Sequence, residues 1–392
     1  MIALSSYYFM QSALFVITLY YLPLYLQHMG FTVAQAGLLA AAGSMTSIAA
    51  QPLWGIVADR WRRMKKLLML LLLFSLAAGS MLFRMETFTP ALFVFSVFMF
   101  FFSPVTPLAD TVAIHYAAKA GLSYGRIRLW GSAGLSLGSL LLGVGVSRWG
   151  ITLLPAVFAA VALLLIIFAA LLPNEPESKT KPLRMQHLRE LMNDRRYLGY
   201  LCAVMVIAVP FRMNDQLFSL FMKIRGATDF QVGIGWTVAT LCSIPAFALS
   251  GRLLRRYGEI RLLLFSGWMF ALRWGTMAWL NDPVWLIVHQ AMNLVTVPIL
   301  YVAAVLQVSK LVPAHLQATG QAIFTAVFAG VSGFLGSTAG GWGMERFEPG
   351  GVYLAGGVLA AVGTIVTMFW SKYGNERRTV HAEDRILRKT GF

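Results

Sequence analysis

Apolar residues fill most of this chain in long blocks, and short polar segments separate one block from the next. Blocks of about 20 residues match a helix crossing the hydrocarbon core of a bilayer. Twelve can be marked off. Six lie near 4–27, 34–58, 66–84, 90–118, 126–147 and 150–172, and six near 197–222, 230–251, 261–280, 283–309, 316–344 and 350–371. They are too long and too uniformly apolar for barrel strands, so the pattern predicts an all-α membrane protein. The longest polar stretch, "PNEPESKTKPLRMQHLRELMNDRR" (173–196), falls at the midpoint. Its Pro, Ser and charges mark a linker, and "RMQHLRELM" reads as a short surface helix. The expected organisation is a six-helix bundle over 1–172, a linker over 173–196, a second bundle over 197–372 and a tail over 373–392.

Composition agrees with that pattern. Hydrophobic residues make up 58% of the chain, charged ones 12%, and mean hydropathy is +0.68. Soluble domains carry about 25% charged residues. The net charge of +16 does not point to nucleic acid, because the basic residues lie in short loops and no soluble basic domain exists to hold them. If the even-numbered loops and the tail face the cytoplasm, they hold 25 Lys and Arg against 5 in the opposite loops. That asymmetry predicts both termini inside a cell membrane. Cys202 and Cys242 fall within apolar blocks and imply no disulfide. The first block has no charged leader before it and reads as a retained span.

The two halves look alike. "GIVADRWRRMKK" after the second block and "GRLLRRYGEIR" after the eighth begin at Gly55 and Gly251, 196 residues apart. The fifth and eleventh blocks are both glycine-rich, and Gly134 and Gly330 again differ by 196. An internal duplication accounts for both coincidences.

Two six-span halves joined by a basic linker resemble the major facilitator superfamily over essentially the whole chain. The loop after the second block is similar to the family signature G-x-x-x-D-[RK]-x-G-[RK]. Gly55, Asp59, Arg60 and Arg63 match it, and Arg62 stands where a glycine is usual. "PLAD" (107–110) followed by "YGRIRLWGS" (124–132) resembles the branch holding phenylpropionate, lactose-permease-like and nucleoside:proton symporters. "RWGTMAW" (273–279) fits the same branch. The resemblance implies two pseudo-symmetric six-helix bundles, a solute site between them and alternating access. It also implies a cytoplasmic gate in which Asp59 clasps a cation or a helix N-terminus, with Arg60, Arg63, Arg126 and Arg128 around it.

Chemistry must come from the few polar groups inside the blocks. There is no phosphate-binding loop and no metal-ligand spacing among the histidines, so no enzyme activity and no cofactor is expected. Four charged residues lie well inside spans: Asp110, Arg212, Asp215 and Arg273. An unpaired charge at mid-bilayer costs about 2.5–3.5 kcal/mol on insertion scales, so all four are expected to face a cavity and to be partly paired. Arg212 and Asp215 share a helix face at a spacing of three, with Asn214 beside them and Pro210 loosening the turn before. Asp110 reads as a proton carrier or a partner for a solute cation, or else as a fixed member of an ion pair, a helix-packing hydrogen bond or a brace of the inner gate. Asp215 reads as a coupling residue or as a permanent partner of Arg212. Pro104 and Pro107 would free backbone carbonyls near Asp110.

Arg273 and His289 match the lactose-permease-like pattern of an arginine in span 9 and a histidine in span 10. The carboxylate expected one turn after that histidine is missing, and Asn293 lies there instead. Proton coupling therefore shifts to Asp110 or Asp215, and Arg273 could hold a solute carboxylate. Tyr7 and Gln11, one turn apart in the first block, are further candidates to line a pocket. The expected function is proton-coupled import of an aromatic acid, sugar or nucleoside by a monomer. Its partners would be the solute, protons and lipid, without nucleic acid. Export of amphipathic drugs in exchange for protons is the alternative. A non-transporting receptor or scaffold would have no use for charges in mid-span.

Overall fold

The computed structural model describes residues 1–61, 63–121, 124–172 and 185–390; the side chains of Asp59, 185–188, 314, 318 and 373–390 lie outside that description. Twelve helical crossings follow one another. They are α1 (Ile2–His28), α2 (Val33–Trp61), α3 (Met64–Leu82), α4 (Phe88–Lys119), α5 (Tyr124–Trp149) and α6 (Leu154–Ala170), then α7 (Arg195–Ile224), α8 (Asp229–Tyr257), α9 (Glu259–Met277), α10 (Pro283–Leu311), α11 (317–346) and α12 (Pro349–Thr390). Eleven of these are long and apolar enough to cross a membrane; α9 is as long as α3 but carries Glu259, Arg261 and Arg273. The short helix expected in the linker forms over Met185–Met192, while 173–184 lie outside the described residues.

Local chemistry sets several helix ends and breaks. Thr32 and Gln35 exchange bonds at the start of α2, the Thr32 N–H donating to Gln35 Oε1 (2.9 Å) and the Gln35 N–H to Thr32 Oγ1 (3.2 Å). Thr228 and Gln231 repeat that capping box at the start of α8 (2.8 and 3.2 Å), 196 residues later. α4 is interrupted between Phe102 and Val105, where Pro104 and Pro107 deny the helix two N–H donors. By contrast α7 runs unbroken through Pro210. A π-turn over Ile17–Tyr21 interrupts α1 and another over Ala326–Val331 interrupts α11.

Packing repeats between the halves. In the first, α1 packs on α5 and α6, α2 on α4, and α3 on α4 and α6; the second pairs α7 with α11 and α12, α8 with α10, and α9 with α10 and α12 in the same scheme. The halves meet along two equivalent seams, α2 on α11 and α5 on α8. Both seams are closest at the end opposite the termini, here the far end. A Cβ on Gly37 would strike Ser337 O and Gly341 Cα, and one on Gly233 would strike Ser139 O and Gly143 Cα. Backbone meets backbone there, with the Tyr21 hydroxyl set beside Gly143 and Gly233 at the second seam. At the near end, the Val105–Lys119 part of α4 packs mainly on α2, α3 and α5, and the Val297–Leu311 part of α10 on α7, α8, α9 and α11. The halves thus part toward the termini.

Candidate functional site

The near-end half of α4 carries Asp110 toward α1 and α5. The Tyr8 hydroxyl on α1 donates to Asp110 Oδ1 at 2.5 Å, and the Tyr124 hydroxyl on α5 donates to the same oxygen at 2.9 Å. No described hydrogen bond reaches Oδ2. Arg128, one turn beyond Tyr124, lies with its guanidinium 5.3 Å from the centre of the Tyr8 ring. An acceptor and a cation therefore flank a single phenol. Gln11, one turn from Tyr8, donates from Nε2 to Thr106 Oγ1 (2.6 Å), which ties α1 to the proline break in α4. Tyr7 is fully buried edge-on against Tyr8 (5.9 Å).

A second charged group sits on α7. Arg212 Nη1 donates to Asp215 Oδ2 at 2.8 Å, with both side chains about one-fifth exposed (22% and 19%). A Cβ on Gly333 of α11 would approach Arg212 Nε and Ser44 of α2, so this pair lies beside the α2–α11 seam. On its far-end side the halves are bridged by aromatic rings. Tyr20 of α1 stacks on Trp236 of α8 with centroids 3.7 Å apart and planes 2° from parallel. Trp236 Nε1 donates to Ser219 Oγ (2.9 Å), which fixes the ring. The Tyr21 hydroxyl reaches Asp229 O (3.2 Å) across the seam, and Thr237 Oγ1 donates to Ser136 O (3.0 Å). The π-turn in α1 places Tyr20 and Tyr21 for these contacts.

Other candidates from the sequence are placed elsewhere. Arg273 is 1% exposed and donates to Asn293, Gln290 and Thr296 inside the second half. Asn214 accepts from the Tyr353 hydroxyl of α12 (3.1 Å) and is buried. His289 Nε2 lies 2.9 Å from Thr276 Oγ1, an exposed position on α9 whose hydroxyl also donates to the Arg273 carbonyl (3.2 Å), so His289 borders the Arg273 group without bonding its guanidinium. Arg60, Arg63 and Arg126 are exposed; the side chain of Asp59 lies outside the described residues. The structure thus gathers Asp110 with Gln11 and Arg128, and Arg212 with Asp215. Tyr8, Tyr124 and Thr106 join the first group without having been singled out from sequence. Their one signal was spacing: Tyr124 and Arg128 stand four apart in "YGRIR".

Comparison with known proteins adds four findings. The model of the family described as MFS_1 like family matches residues 1–355. The maltose permease of Geobacillus stearothermophilus is 27% identical over 340 residues, covering 86% of each chain. A probable 3-phenylpropionic acid transporter of Escherichia coli is 27% identical over 240 residues, 60% of this chain and 62% of that one. Among solved structures, the nucleoside transporter NupG superposes with a TM-score of 0.85 at 18% identity, over 95% of this chain and 99% of NupG.

Proposed function

The chain belongs to the MFS_1 like family of major facilitator transporters, and from that premise we propose that it imports a small organic solute together with protons by alternating access. Membrane transport rather than catalysis is common to its relatives. We place both termini on the cytoplasmic side of the cell membrane, on the strength of the Lys and Arg asymmetry. The near end is then the inner face, and the conformation is open inward.

One observation carries the assignment of coupling. Asp110, within an otherwise apolar helix, is anchored through one oxygen by two phenols and makes no ion pair among the described residues. Its second oxygen is left for a proton or a solute hydroxyl. Asp215 differs, because Arg212 already bonds it directly. Asp215 is already engaged by a cation and is read as a standing ion pair, so we assign the coupling proton to Asp110, which makes no ion pair among the described residues. One proton entering down 100 mV releases about 2.3 kcal/mol, which supports accumulation of a neutral solute by tens of fold.

The same cluster indicates what kind of solute it takes. Asp110 Oδ2 accepts and Arg128 donates, on either side of Tyr8. Neighbouring hydroxyls on a sugar or a ribose ring fit that acceptor–donor pair. Maltose, uridine and 3-phenylpropionate make a short discriminating screen by thermal shift on purified protein, followed by uptake into proteoliposomes with an imposed pH gradient. A hit with maltose or uridine and none with 3-phenylpropionate is the expected outcome. Asp110→Asn should then abolish accumulation while leaving exchange of bound solute. Accumulation by Asp110→Asn at the native rate would refute the proton assignment.

A further inference from the structure

α10 is a broken helix, and the break has a local cause. The turns Pro283–His289 are α-helical, Gln290–Leu294 tighten into a 3-10 segment, and the α-helix resumes only at Val297, just before Pro298. Pro298 has no N–H and its ring crowds the carbonyl four residues back. Thr296, at the junction, takes φ −107° and ψ −89°, away from helical values. Such 3-10 stretches inside longer helices often mark hinges.

The partners of Arg273 all come from that break. Nη1 donates to Asn293 Oδ1 and to Thr296 Oγ1 (3.1 Å), and Nη2 donates to Gln290 Oε1 (2.7 Å). The guanidinium lies 4.7 Å from the centre of the Trp274 ring, and Asn293 Nδ2 donates onward to Ala239 O of α8 (3.2 Å). One buried cation thus ties α9 to the interruption itself, and Asn293 carries the link on to α8. It is too enclosed to touch a solute in this conformation, and no carboxylate lies within ion-pair distance of it among the described residues.

We infer that Arg273 is a positioning residue: it pins the break in α10, so that the Val297–Leu311 segment turns about Thr296–Pro298 while Pro283–His289 stays seated. That segment carries Tyr301, which is 41% exposed and packs its ring on Phe324 and Phe328 of α11. Its swing would bring the second half onto the first-half site. The direction of the swing rests on the site assignment above; the pin does not.

The test needs no solute. On a background with Cys202→Ser and Cys242→Ser, spin labels at Leu129 and Leu306, both exposed, report the distance from α5 to the lower part of α10. A second pair at Leu241 and Trp285 reports on α8 and the upper part. In the reconstituted protein, Arg273→Lys and the milder Thr296→Val should broaden the first distance distribution and leave the second unchanged. Amide exchange over 297–311 should rise by about tenfold, the worth of one charge-assisted hydrogen bond, with 283–289 unaffected. The double variant Arg273→Lys with Gln290→Glu, which replaces the fork by an ion pair, should restore the narrow distribution. Equal broadening of both pairs, or no change in either with Thr296→Val, would overturn the inference.

Discussion

Tyr8 and Tyr124 both spend their hydroxyls on one oxygen of Asp110, so each can be removed with the other left as an internal control. Hydrogen bonds to a charged group contribute about 1.5–3 kcal/mol. Tyr124→Phe is therefore expected to lower initial uptake about tenfold at unchanged expression and helix content, and the Tyr8→Phe, Tyr124→Phe double variant further still. Uptake within twofold of native in the double variant would show that the carboxylate needs no such anchoring. Arg128→Lys keeps the charge but loses the planar fork, and should weaken solute binding in titration calorimetry more than it slows exchange. The sequence made Asp110, Arg212 and Asp215 legible because a charge among apolar residues has few other reasons to be there. Tyr8 was hidden by its own kind: tyrosines near span ends usually sit at the membrane interface. Arg128 was grouped with the basic loop that it borders, whereas the turn from Tyr124 brings it onto the Tyr8 ring. Arg273 was legible as a buried charge but not as one answered by neutral amides, since hydrogen bonding across a helix break leaves no periodic pattern.

At the scale of helices, the block pattern located the crossings to within a few residues, because the bilayer dictates length and apolarity together, but α8 and α12 run on past their blocks to Tyr257 and Thr390, the latter through the expected tail. The interruptions were less visible. Prolines announced the break in α4 but not whether a helix would yield to them, and α7 absorbs Pro210 without interruption. The π-turns in α1 and α11 have no proline at all. The glycine-rich fifth and eleventh blocks each supply one side of a seam, Gly330 lying against Ile48 of α2, although Gly134 itself packs on Phe9 of α1 within the first half. Gly37 and Gly233 occupy equivalent places at the starts of α2 and α8, each against the backbone of a helix in the other half. A valine at either position would strike main-chain atoms, which cannot rotate away. Gly37→Val or Gly233→Val should therefore hold the far end apart. Cysteine labelling from the far side at Ser219, buried beneath Trp236 in the native protein, should become fast in those variants. Labelling as slow as in the native background would mean that the seams close by some other contact.

Across the whole molecule, the two seams are alike in geometry and unlike in chemistry. On the α2–α11 seam, Glu345 Oε2 accepts from the Ala34 N–H at 2.8 Å, so a carboxylate of the second half caps the positive end of a helix in the first. The α5–α8 seam uses the neutral Tyr21 hydroxyl instead. A cap of this kind contributes about 1 kcal/mol. Glu345→Ala should thus move the balance of far-end-closed to far-end-open molecules about fivefold toward open, read as populations in pulsed spin-label distances across that seam. Glu345→Gln, which keeps an acceptor, should have a smaller effect; equal populations in all three proteins would leave Glu345 without a part in closure. The duplicated capping boxes and the matching packing schemes made the halves predictable from one another, but these single cross-half contacts were not, because duplication preserves backbones more readily than the side chains that meet across them. The glycine seams also bear on how finely the two states are balanced. Immobilising a large side chain at an interface forfeits up to about 2 kcal/mol of rotamer entropy, whereas glycine has none to lose. A contact of backbone on backbone can therefore form and part with little change in disorder; under the alternating access proposed above, a solute with only weak preference for one state would be enough to tip the balance.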